Sequence, residues 1–173
     1  MLLLTIGFLI FIPMLVEAAR ARRNERAQRA RGGLEPADDV YKIMRIAYPA
    51  AFLAMLAEGA ARGLGTSSPA AILVTGIAVF TAAKIIKWSA ILALGRCWTF
   101  RVIVVPGERL VASGPYRYLR HPNYVGVIGE LIGAALMTRA LITGPIAVIV
   151  FAILLYNRIA VEERALRGAR MAR

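Results

Sequence analysis

Five long apolar segments, separated by polar segments rich in arginine, constrain the fold of this chain more than any other feature of its sequence. The apolar segments are Met1–Ala19, Tyr41–Ala61, Ala70–Leu94, Tyr124–Met137 and Gly144–Ala160. A helix needs about 20 apolar residues to cross the hydrocarbon core of a bilayer. Hydrophobic residue types make up 59% of the chain, above the share in soluble domains. We therefore predict an all-α polytopic membrane protein with about five transmembrane helices, the last two forming a helical hairpin. The fourth segment is short, so its helix is expected to begin near Pro122.

The distribution of arginine predicts how these helices are oriented. Six arginines lie in 20–31, five in 95–120 and five in 158–173, whereas the two intervening turns contain one each. Positive residues accumulate on the cytoplasmic side of membrane proteins. We therefore predict a protein of the inner (cytoplasmic) membrane with its N-terminus outside and its C-terminus in the cytoplasm. The first segment could instead be a secretory signal peptide, but arginines follow it rather than precede it, which favours a retained helix.

Charge and rare residue types exclude several classes of function. The chain has 22 Lys and Arg against 10 Asp and Glu, a net charge of +12. The basic residues lie in blocks beside apolar segments, which indicates contact with anionic lipids rather than with nucleic acid. Cys97 is the only cysteine and His121 the only histidine, so neither an internal disulfide nor a zinc or cysteine-cluster site is expected. We expect membrane lipids as partners, and neither nucleic acid nor a metal.

The polar segment Gly95–Arg120 is the candidate site of chemistry. Its 26 residues are rich in Gly, Pro, Arg and aromatic types, and a connection between two helices needs far fewer. Folded at the cytoplasmic face, such a loop would bring a charged soluble ligand to a membrane substrate. Pro122 suits the first turn of a helix whose free N–H groups attract an anion, with Arg120 beside it. Alternatively, Arg120 and His121 are interfacial residues that face lipid phosphates.

Glu130 is an acidic residue inside the fourth apolar segment. Such a residue is costly in a bilayer and is by default a candidate for function. The glycines on its side of the helix are Gly126, Gly129 and Gly133. They would let another helix or a ligand approach closely. The alternative is a structural role, in which Glu130 pairs with Lys84, Lys87 or an arginine.

Three motifs, in order, resemble the isoprenylcysteine carboxyl methyltransferase family. They are Gly114–Tyr116 (GPY), Arg120–Gly126 (RHPNYVG) and Glu162–Leu166 (EERAL). Each motif is short, but their order and spacing, with a helical hairpin between the last two, make the set specific. The resemblance covers roughly Lys87 to Leu166. It implies an all-helical membrane enzyme that binds S-adenosylmethionine at the cytoplasmic face.

The resemblance also implies which residues act. The expected parts of a single membrane domain, 1–173, are the first three transmembrane helices in 1–94 and a cofactor-binding and catalytic region in 95–173. The expected cofactor-binding residues are Tyr116, His121, Pro122, Tyr124, Gly126, Glu162 and Glu163. The expected catalytic residues are Arg120, Glu130 and Glu163, and the expected substrate-binding residues are Lys87, Trp88, Trp98 and Arg164. Arg120 would orient the cofactor or an acidic substrate, and a glutamate would remove the proton of a phenol or enol.

Three further segments resemble a small bacterial branch of the family. They are Lys87–Trp88, Leu94–Thr99 and Val104–Gly107. Members of that branch are encoded beside type III polyketide synthases and O-methylate alkylpyrones or alkylresorcinols. The resemblance implies a lipophilic acceptor that enters from the bilayer: the hydroxyl of a long-chain polyketide or, as a close second, a prenylcysteine-type carboxylate.

Three other functions fit parts of the sequence. A phospholipid or amine N-methyltransferase would need an acid-lined pocket, which the abundance of arginine disfavours. A small membrane transport or assembly protein would explain Glu58, Lys84 and Glu130 as polar contacts between helices, but it leaves the long loop unexplained. Membrane sterol reductases share the general helical plan, and binding of a nicotinamide cofactor would identify one.

Overall fold

Five α-helices make up the fold in the part of the chain that the structure describes. The computed structural model describes residues 1–63, 70–108 and 110–171. The helices are α1 (Leu2–Ala30), α2 (Tyr41–Ala61), α3 (Ala70–Leu94), α4 (Pro122–Thr138) and α5 (Thr143–Met171), with short 3-10 turns at Gly95–Cys97 and Gly114–Arg117. Within the described ranges there is no β-strand, and Leu34 and Val104 form an isolated bridge. The prediction of an all-α fold is confirmed.

Four of the helices are long and apolar enough to cross a membrane. These are α1, α2, α3 and α5. The fourth helix has 17 residues, which is at the lower limit for a transmembrane helix. The chain is therefore an integral membrane protein with the five helices that the sequence predicts, and α4 is the short one.

Two helices continue well beyond the apolar segments that predict them. The apolar part of α1 ends at Ala19, but the helix runs on to Ala30. In the same way, α5 continues from Ala160 to Met171. Both extensions consist mainly of Ala, Arg, Glu and other good helix formers. Hydropathy therefore indicates the length of the membrane span but not the length of the helix, since α1 and α5 both continue as polar helix beyond their apolar segments.

Apolar residues on the outer surface show which faces meet lipid. On α1 the exposed residues are Leu4, Phe8, Ile12 and Leu15, and on α5 they are Ile146, Ile149, Ile153 and Tyr156. Each set repeats every three or four residues and so forms one stripe along its helix. Stripes of this size would be unusual on a soluble monomer and fit a surface solvated by acyl chains.

The core is formed where α4 packs against α3. Phe52, Phe80, Phe151 and Leu131 are buried there almost completely. Glycines on α4 allow the contact, because a Cβ added at Gly133 would lie 2.6 Å from the backbone nitrogen of Phe80. The small face predicted around Glu130 is therefore a helix-packing surface.

The predicted hairpin between α4 and α5 is also present. Arg139 ends α4 in a left-handed conformation with φ 55°. The Glu58 carboxylate of α2 accepts hydrogen bonds from the backbone N–H groups of Ile142 (3.1 Å) and Thr143 (2.8 Å) and from the Thr143 hydroxyl (2.7 Å). These bonds satisfy N–H groups at the start of α5 that have no partner within the helix.

Candidate active site

The loop between α3 and α4 is fixed to the C-terminal end of α1. The Asn24 side-chain amide donates hydrogen bonds to the carbonyls of Gly95 (2.9 Å) and Trp98 (2.7 Å). The Gln28 amide donates to the carbonyl of Arg96 at 2.8 Å. Because an irregular loop pairs only some of its own backbone groups, such side-chain partners satisfy others and help to hold it in one conformation. The prediction of a structured loop before the hairpin is confirmed.

A buried ion pair ties the same loop to α5. Arg158 Nη1 lies 2.9 Å from Asp39 Oδ1, and both side chains are almost fully buried. Asp39 also accepts a hydrogen bond from the Val102 N–H at 2.8 Å. Arg158 donates to the Phe100 carbonyl and, through Nε, to the Tyr124 hydroxyl at 3.0 Å. This cluster joins the α1–α2 connection, the loop, α4 and α5, and we call it the Arg158 clamp.

A cavity of about 180 Å³ with both polar and apolar lining lies between the loop, the start of α4 and α5. The His121 and Tyr124 rings stack at its wall, with centroids 5.4 Å apart and an angle of 12° between the planes. The Tyr124 hydroxyl donates a hydrogen bond to Glu162 Oε2 at 2.7 Å, and His121 Nδ1 is 3.9 Å from the same oxygen. Tyr116 lines the cavity as well. We call this the cytoplasmic cavity, after the orientation that the distribution of arginine predicts.

The Tyr116 hydroxyl is held in its protonated form. Burial raises the pKa of Tyr116, and the negative charge of Glu162 raises it further. A protonated phenol can both donate and accept a hydrogen bond. The cytoplasmic cavity therefore offers a hydroxyl donor beside a carboxylate acceptor.

A larger cavity of about 380 Å³ lies between the transmembrane helices. Its walls come from α1, α2, α4, α5 and the loop residues 98–100, with Lys87 contributed by α3. The apolar lining includes Met14, Met44, Val127 and Leu155. Its volume falls in the range of small-molecule sites. We call this the membrane cavity.

The two cavities share one wall. The residues that line both are Trp98, Thr99, Asn123, Tyr124 and Arg158. The Trp98 indole N–H donates to the Asn123 side-chain oxygen at 3.4 Å. A group bound in one cavity is therefore separated from a group bound in the other by only a few side chains.

A buried cluster of charges borders the membrane cavity. Lys87 Nζ lies 2.7 Å from Glu17 Oε2 and 3.2 Å from Glu130 Oε1. Lys84 Nζ lies 2.9 Å from Glu17 Oε1 and 3.1 Å from Glu130 Oε1. The Tyr48 hydroxyl donates to Glu130 Oε2 at 2.6 Å. We call these five groups the ionic cluster.

Comparison with known proteins identifies the family. The family model described as "Isoprenylcysteine carboxyl methyltransferase (ICMT) family" matches residues 74–168, more than half of the chain. The chain belongs to this family. The match begins within α3 and includes the loop, α4 and most of α5, and so most of the cytoplasmic cavity. Membership supports a membrane methyltransferase.

Individual relatives agree with this assignment. The uncharacterized protein YpbQ of Bacillus subtilis is 33% identical over 159 residues, which cover 92% of this chain and 93% of that protein. Protein-S-isoprenylcysteine O-methyltransferase B of Arabidopsis thaliana is 30% identical over 98 residues, which cover 53% of this chain and 48% of that protein. No solved structure matches the chain.

Several residues that the ICMT resemblance singles out lie together. Tyr116, His121, Tyr124 and Glu162 line the cytoplasmic cavity. Trp98 lies in the shared wall and Lys87 lines the membrane cavity. Trp88 packs against a small buried cluster with Trp98. Five expected residues thus line the cytoplasmic cavity, and three of the expected residues, Lys87, Trp98 and Tyr124, line the membrane cavity.

Other expected site residues lie outside both cavities. Arg120 is exposed at the start of α4. Glu163 pairs with Arg167 at 3.0 Å and lies 4.0 Å from His121 Nε2. Arg164 pairs with Asp38 at the surface. The roles proposed for Arg120, Glu163 and Arg164 remain predictions.

Three expected residues are placed inside the helix packing. Pro122 is buried in the first turn of α4. Gly126 faces α3, where an added Cβ would lie 2.7 Å from the Lys87 Cβ. Glu130 is in the ionic cluster, so its predicted pairing with the two lysines is present, and its catalytic role remains a prediction.

Sequence reasoning missed Glu17, Asp39 and Arg158. Glu17 is a charge inside a transmembrane segment, which is the signal that drew attention to Glu130. Arg158 was counted only as one of the cytoplasmic arginines. Asp39 lies in a short polar connection and offers no local signal, because its role depends on residues 63 to 119 positions away.

Proposed function

We propose that the chain is an S-adenosylmethionine-dependent O-methyltransferase whose lipophilic acceptor enters from the bilayer. The shared wall between the two cavities carries this proposal. A methyl donor is polar and water-soluble, whereas a lipid acceptor is apolar, so their reaction needs two sites of different character that adjoin. The cytoplasmic and membrane cavities meet this requirement at Trp98, Asn123 and Tyr124.

The groups around the cytoplasmic cavity fit S-adenosylmethionine. This cofactor has ribose hydroxyls and an ammonium group, which need hydrogen-bond acceptors, and an aromatic base and a sulfonium cation, which bind well to aromatic faces. Glu162 would accept from the ammonium or the ribose, Tyr116 would donate, and His121 and Tyr124 offer stacked rings. When bound, the cofactor would supply the methyl group as an electrophile.

The protein's own contribution would be alignment and exclusion of water. Methyl transfer is an in-line displacement, so holding donor and acceptor at the correct distance removes much of the barrier. The Arg158 clamp fixes the shared wall from three sides through the Phe100 carbonyl, Tyr124 and Asp39. A wall of buried aromatic and clamped side chains would also keep water from the reacting atoms.

The acceptor is proposed to be a long-chain polyketide hydroxyl, with a prenylcysteine-type carboxylate as the second candidate. The apolar lining of the membrane cavity supports a long hydrocarbon chain in either case. The name of the Arabidopsis relatives refers to isoprenylcysteine, which keeps the carboxylate acceptor in consideration. We also propose that the protein lies in the inner membrane with its C-terminus on the cytoplasmic side. S-adenosylmethionine is made in the cytoplasm, so the cytoplasmic cavity would then face the supply of cofactor.

The test is calorimetric titration of S-adenosylmethionine into the detergent-purified protein. Tyr124→Phe removes the hydroxyl that joins Glu162 to Arg158, and it should weaken binding about tenfold or more, since a hydrogen bond to a charged group contributes about 1.5–3 kcal/mol. The matched control is Tyr118→Phe, because Tyr118 is 82% exposed, and this variant should bind like the wild type.

Transfer of a radiolabelled methyl group then identifies the acceptor. Alkylresorcinols and prenylcysteines should be compared under the same conditions, with an amine lipid as a third acceptor. Labelling of the resorcinol supports the proposed hydroxyl chemistry, and labelling of the amine would replace it. A well-folded protein that does not bind S-adenosylmethionine at millimolar concentration would refute the methyltransferase proposal.

A further inference from the structure

The ionic cluster has no part in the function proposed so far, although burying its charges between helices costs free energy. It places two carboxylates and two ammonium groups from α1, α3 and α4 inside the membrane region. The side chains of Glu17, Lys87 and Glu130 are 1%, 3% and 1% exposed, and that of Lys84 is 14% exposed. Buried ion pairs of this kind are often no more stabilising than apolar residues of the same volume. Charged groups inside a membrane domain are by default candidates for function.

The cluster has one face toward the membrane cavity. Glu17, Tyr48 and Lys87 line that cavity. Glu130 and Lys84 lie behind them and complete the pairing. The carboxylate that a bound acceptor would meet is therefore Glu17, and the ammonium beside it, at 2.7 Å, is Lys87.

Charge balance indicates which kind of acceptor the cluster suits. Two carboxylates and two lysines sum to zero. A neutral hydroxyl compound adds no charge. If its proton moves to Glu17, the new oxyanion takes the place of the carboxylate beside Lys87, and the sum is still zero. A carboxylate acceptor would instead add a negative charge to a balanced cluster in a low-dielectric site.

We propose that Glu17 accepts the proton of a hydroxyl acceptor bound in the membrane cavity and that Lys87 binds the resulting oxyanion. This inference rests on the proposed methyltransferase function. The acceptor O–H bond breaks, the proton goes to a Glu17 oxygen, and the electron pair stays on the acceptor oxygen. That oxygen then forms its bond to the methyl group of S-adenosylmethionine as the carbon–sulfur bond breaks, with the bonding pair left on sulfur. One proton is released to water in each turnover.

Other charged groups around the cavity define the competing arrangement. Arg22 and Arg45 line the cavity at exposed positions, and Arg158 lines it as part of its clamp. An anionic acceptor would be held by Arg22 and Arg45 at this rim. In that case the reaction would need no proton acceptor, and Glu17 would be structural.

The experiment measures the ionisation of a bound probe rather than turnover. The probe is a 4-nitrophenol with a dodecyl chain, because its phenolate absorbs at a longer wavelength than the phenol. It is added to the full-length protein in detergent, without S-adenosylmethionine, at a pH below its own pKa. We expect binding to increase the phenolate absorbance and to lower the apparent pKa of the bound probe by about one unit or more.

The decisive variant is Glu17→Gln. It should bind the probe but leave it protonated, whereas Glu17→Asp, which keeps the charge, should restore part of the phenolate signal. Glu35→Gln makes the same chemical change at a residue outside both cavities and should behave like the wild type. The O-methyl ether of the probe cannot ionise, so its affinity should be equal in the wild type and in Glu17→Gln. If Glu17→Gln does not fold, the comparison of Glu17→Asp with the wild type decides.

Three results would overturn the inference. The first is a probe that binds the wild type without ionising. The second is a phenolate signal that Glu17→Gln or Glu17→Asp leaves unchanged. The third is tighter binding of a dodecyl carboxylate than of the probe, weakened only by Arg22→Gln and Arg45→Gln. Each can occur while S-adenosylmethionine still binds by calorimetry. Failure of this inference is therefore distinguishable from failure of the proposed function.

Discussion

The two cavities of this ICMT family member differ in the main partners of the polar side chains around them. Around the cytoplasmic cavity, charged and amide side chains bind to loop backbone, as Asp39 does to the Val102 N–H and Asn24 to the Trp98 carbonyl. Around the membrane cavity, charged side chains bind to one another, as Glu17 does to Lys87. Transmembrane helices satisfy their own backbone groups within the spans, so a charge between the spans finds its partners among side chains, here the two lysines and the Tyr48 hydroxyl.

This difference determines how each cavity should fail. Removal of one partner at the cytoplasmic cavity should loosen the loop and, under the proposed function, reduce cofactor binding. Removal of one partner at the membrane cavity leaves an uncompensated charge between helices and destabilises the whole bundle. The following substitutions test that contrast.

Lys87→Met should have the largest effect. It leaves Glu17 and Glu130 with Lys84 alone, and breaking a buried ion pair costs about 3–5 kcal/mol. The apparent melting temperature in detergent measures the loss. The control is Lys42→Met at an exposed position. Adding Glu17→Gln to Lys87→Met restores a neutral cluster and should recover part of the stability. Equal melting temperatures for Lys87→Met and Lys42→Met would show that the ionic cluster does not contribute to stability.

Asp39→Asn should have the next largest effect. It removes the charge that faces Arg158, and a hydrogen bond to a charged group contributes about 1.5–3 kcal/mol. Because the clamp holds the loop, protease cleavage in 95–121 should increase and affinity for S-adenosylmethionine should fall. The neighbouring Asp38 is an ideal control, since its side chain is 59% exposed and Asp38→Asn should change neither property. A loss of stability with unchanged loop protection would contradict the role of the clamp.

Gly126→Ala distinguishes helix packing from a direct cofactor contact. The added Cβ would lie 2.7 Å from the Lys87 Cβ and 3.1 Å from the Ala83 carbonyl oxygen, so α3 and α4 must separate. Overpacking of this kind costs about 1–3 kcal/mol. We expect a lower melting temperature, with Gly168→Ala, where nothing lies within 4 Å, as the control. Weaker cofactor binding without loss of stability would support the cofactor contact instead.

Tyr116→Phe should have the smallest effect, and it concerns pH. The raised pKa of Tyr116 means that the folded protein keeps this phenol protonated where an unfolded chain loses the proton. Above about pH 10, the ordinary value for tyrosine, the unfolded state binds fewer protons than the folded state, so stability should fall as pH rises. Tyr116→Phe should reduce this fall when unfolding is followed between pH 8 and 11. An identical alkaline profile in the wild type and the variant would contradict the assignment.

The sequence predicts the helices and the cytoplasmic cavity better than the membrane cavity, for a physical reason. Local sequence determines the transmembrane spans, the helix start at Pro122 and the motif around His121 and Tyr124. The Glu17–Lys87 pair joins residues 70 positions apart. Local sequence therefore does not indicate which lysine pairs with which acidic residue. Glu17 itself could have been found, because it is a charge in an apolar segment, as Glu130 is.

The extension of α1 beyond its apolar segment has a consequence for the modularity of this protein. Asn24 and Gln28 hold the loop that carries part of the cytoplasmic cavity, yet they precede the stretch of chain, 74–168, that marks the family. The recognisable portion is therefore not a self-sufficient unit. A chimera that exchanges the first helix between relatives would exchange a membrane anchor and also the contacts that hold the wall of the cytoplasmic cavity. Divergence in this part of the chain, which lies outside the stretch 74–168, would then change the shape of that cavity without changing the family motifs.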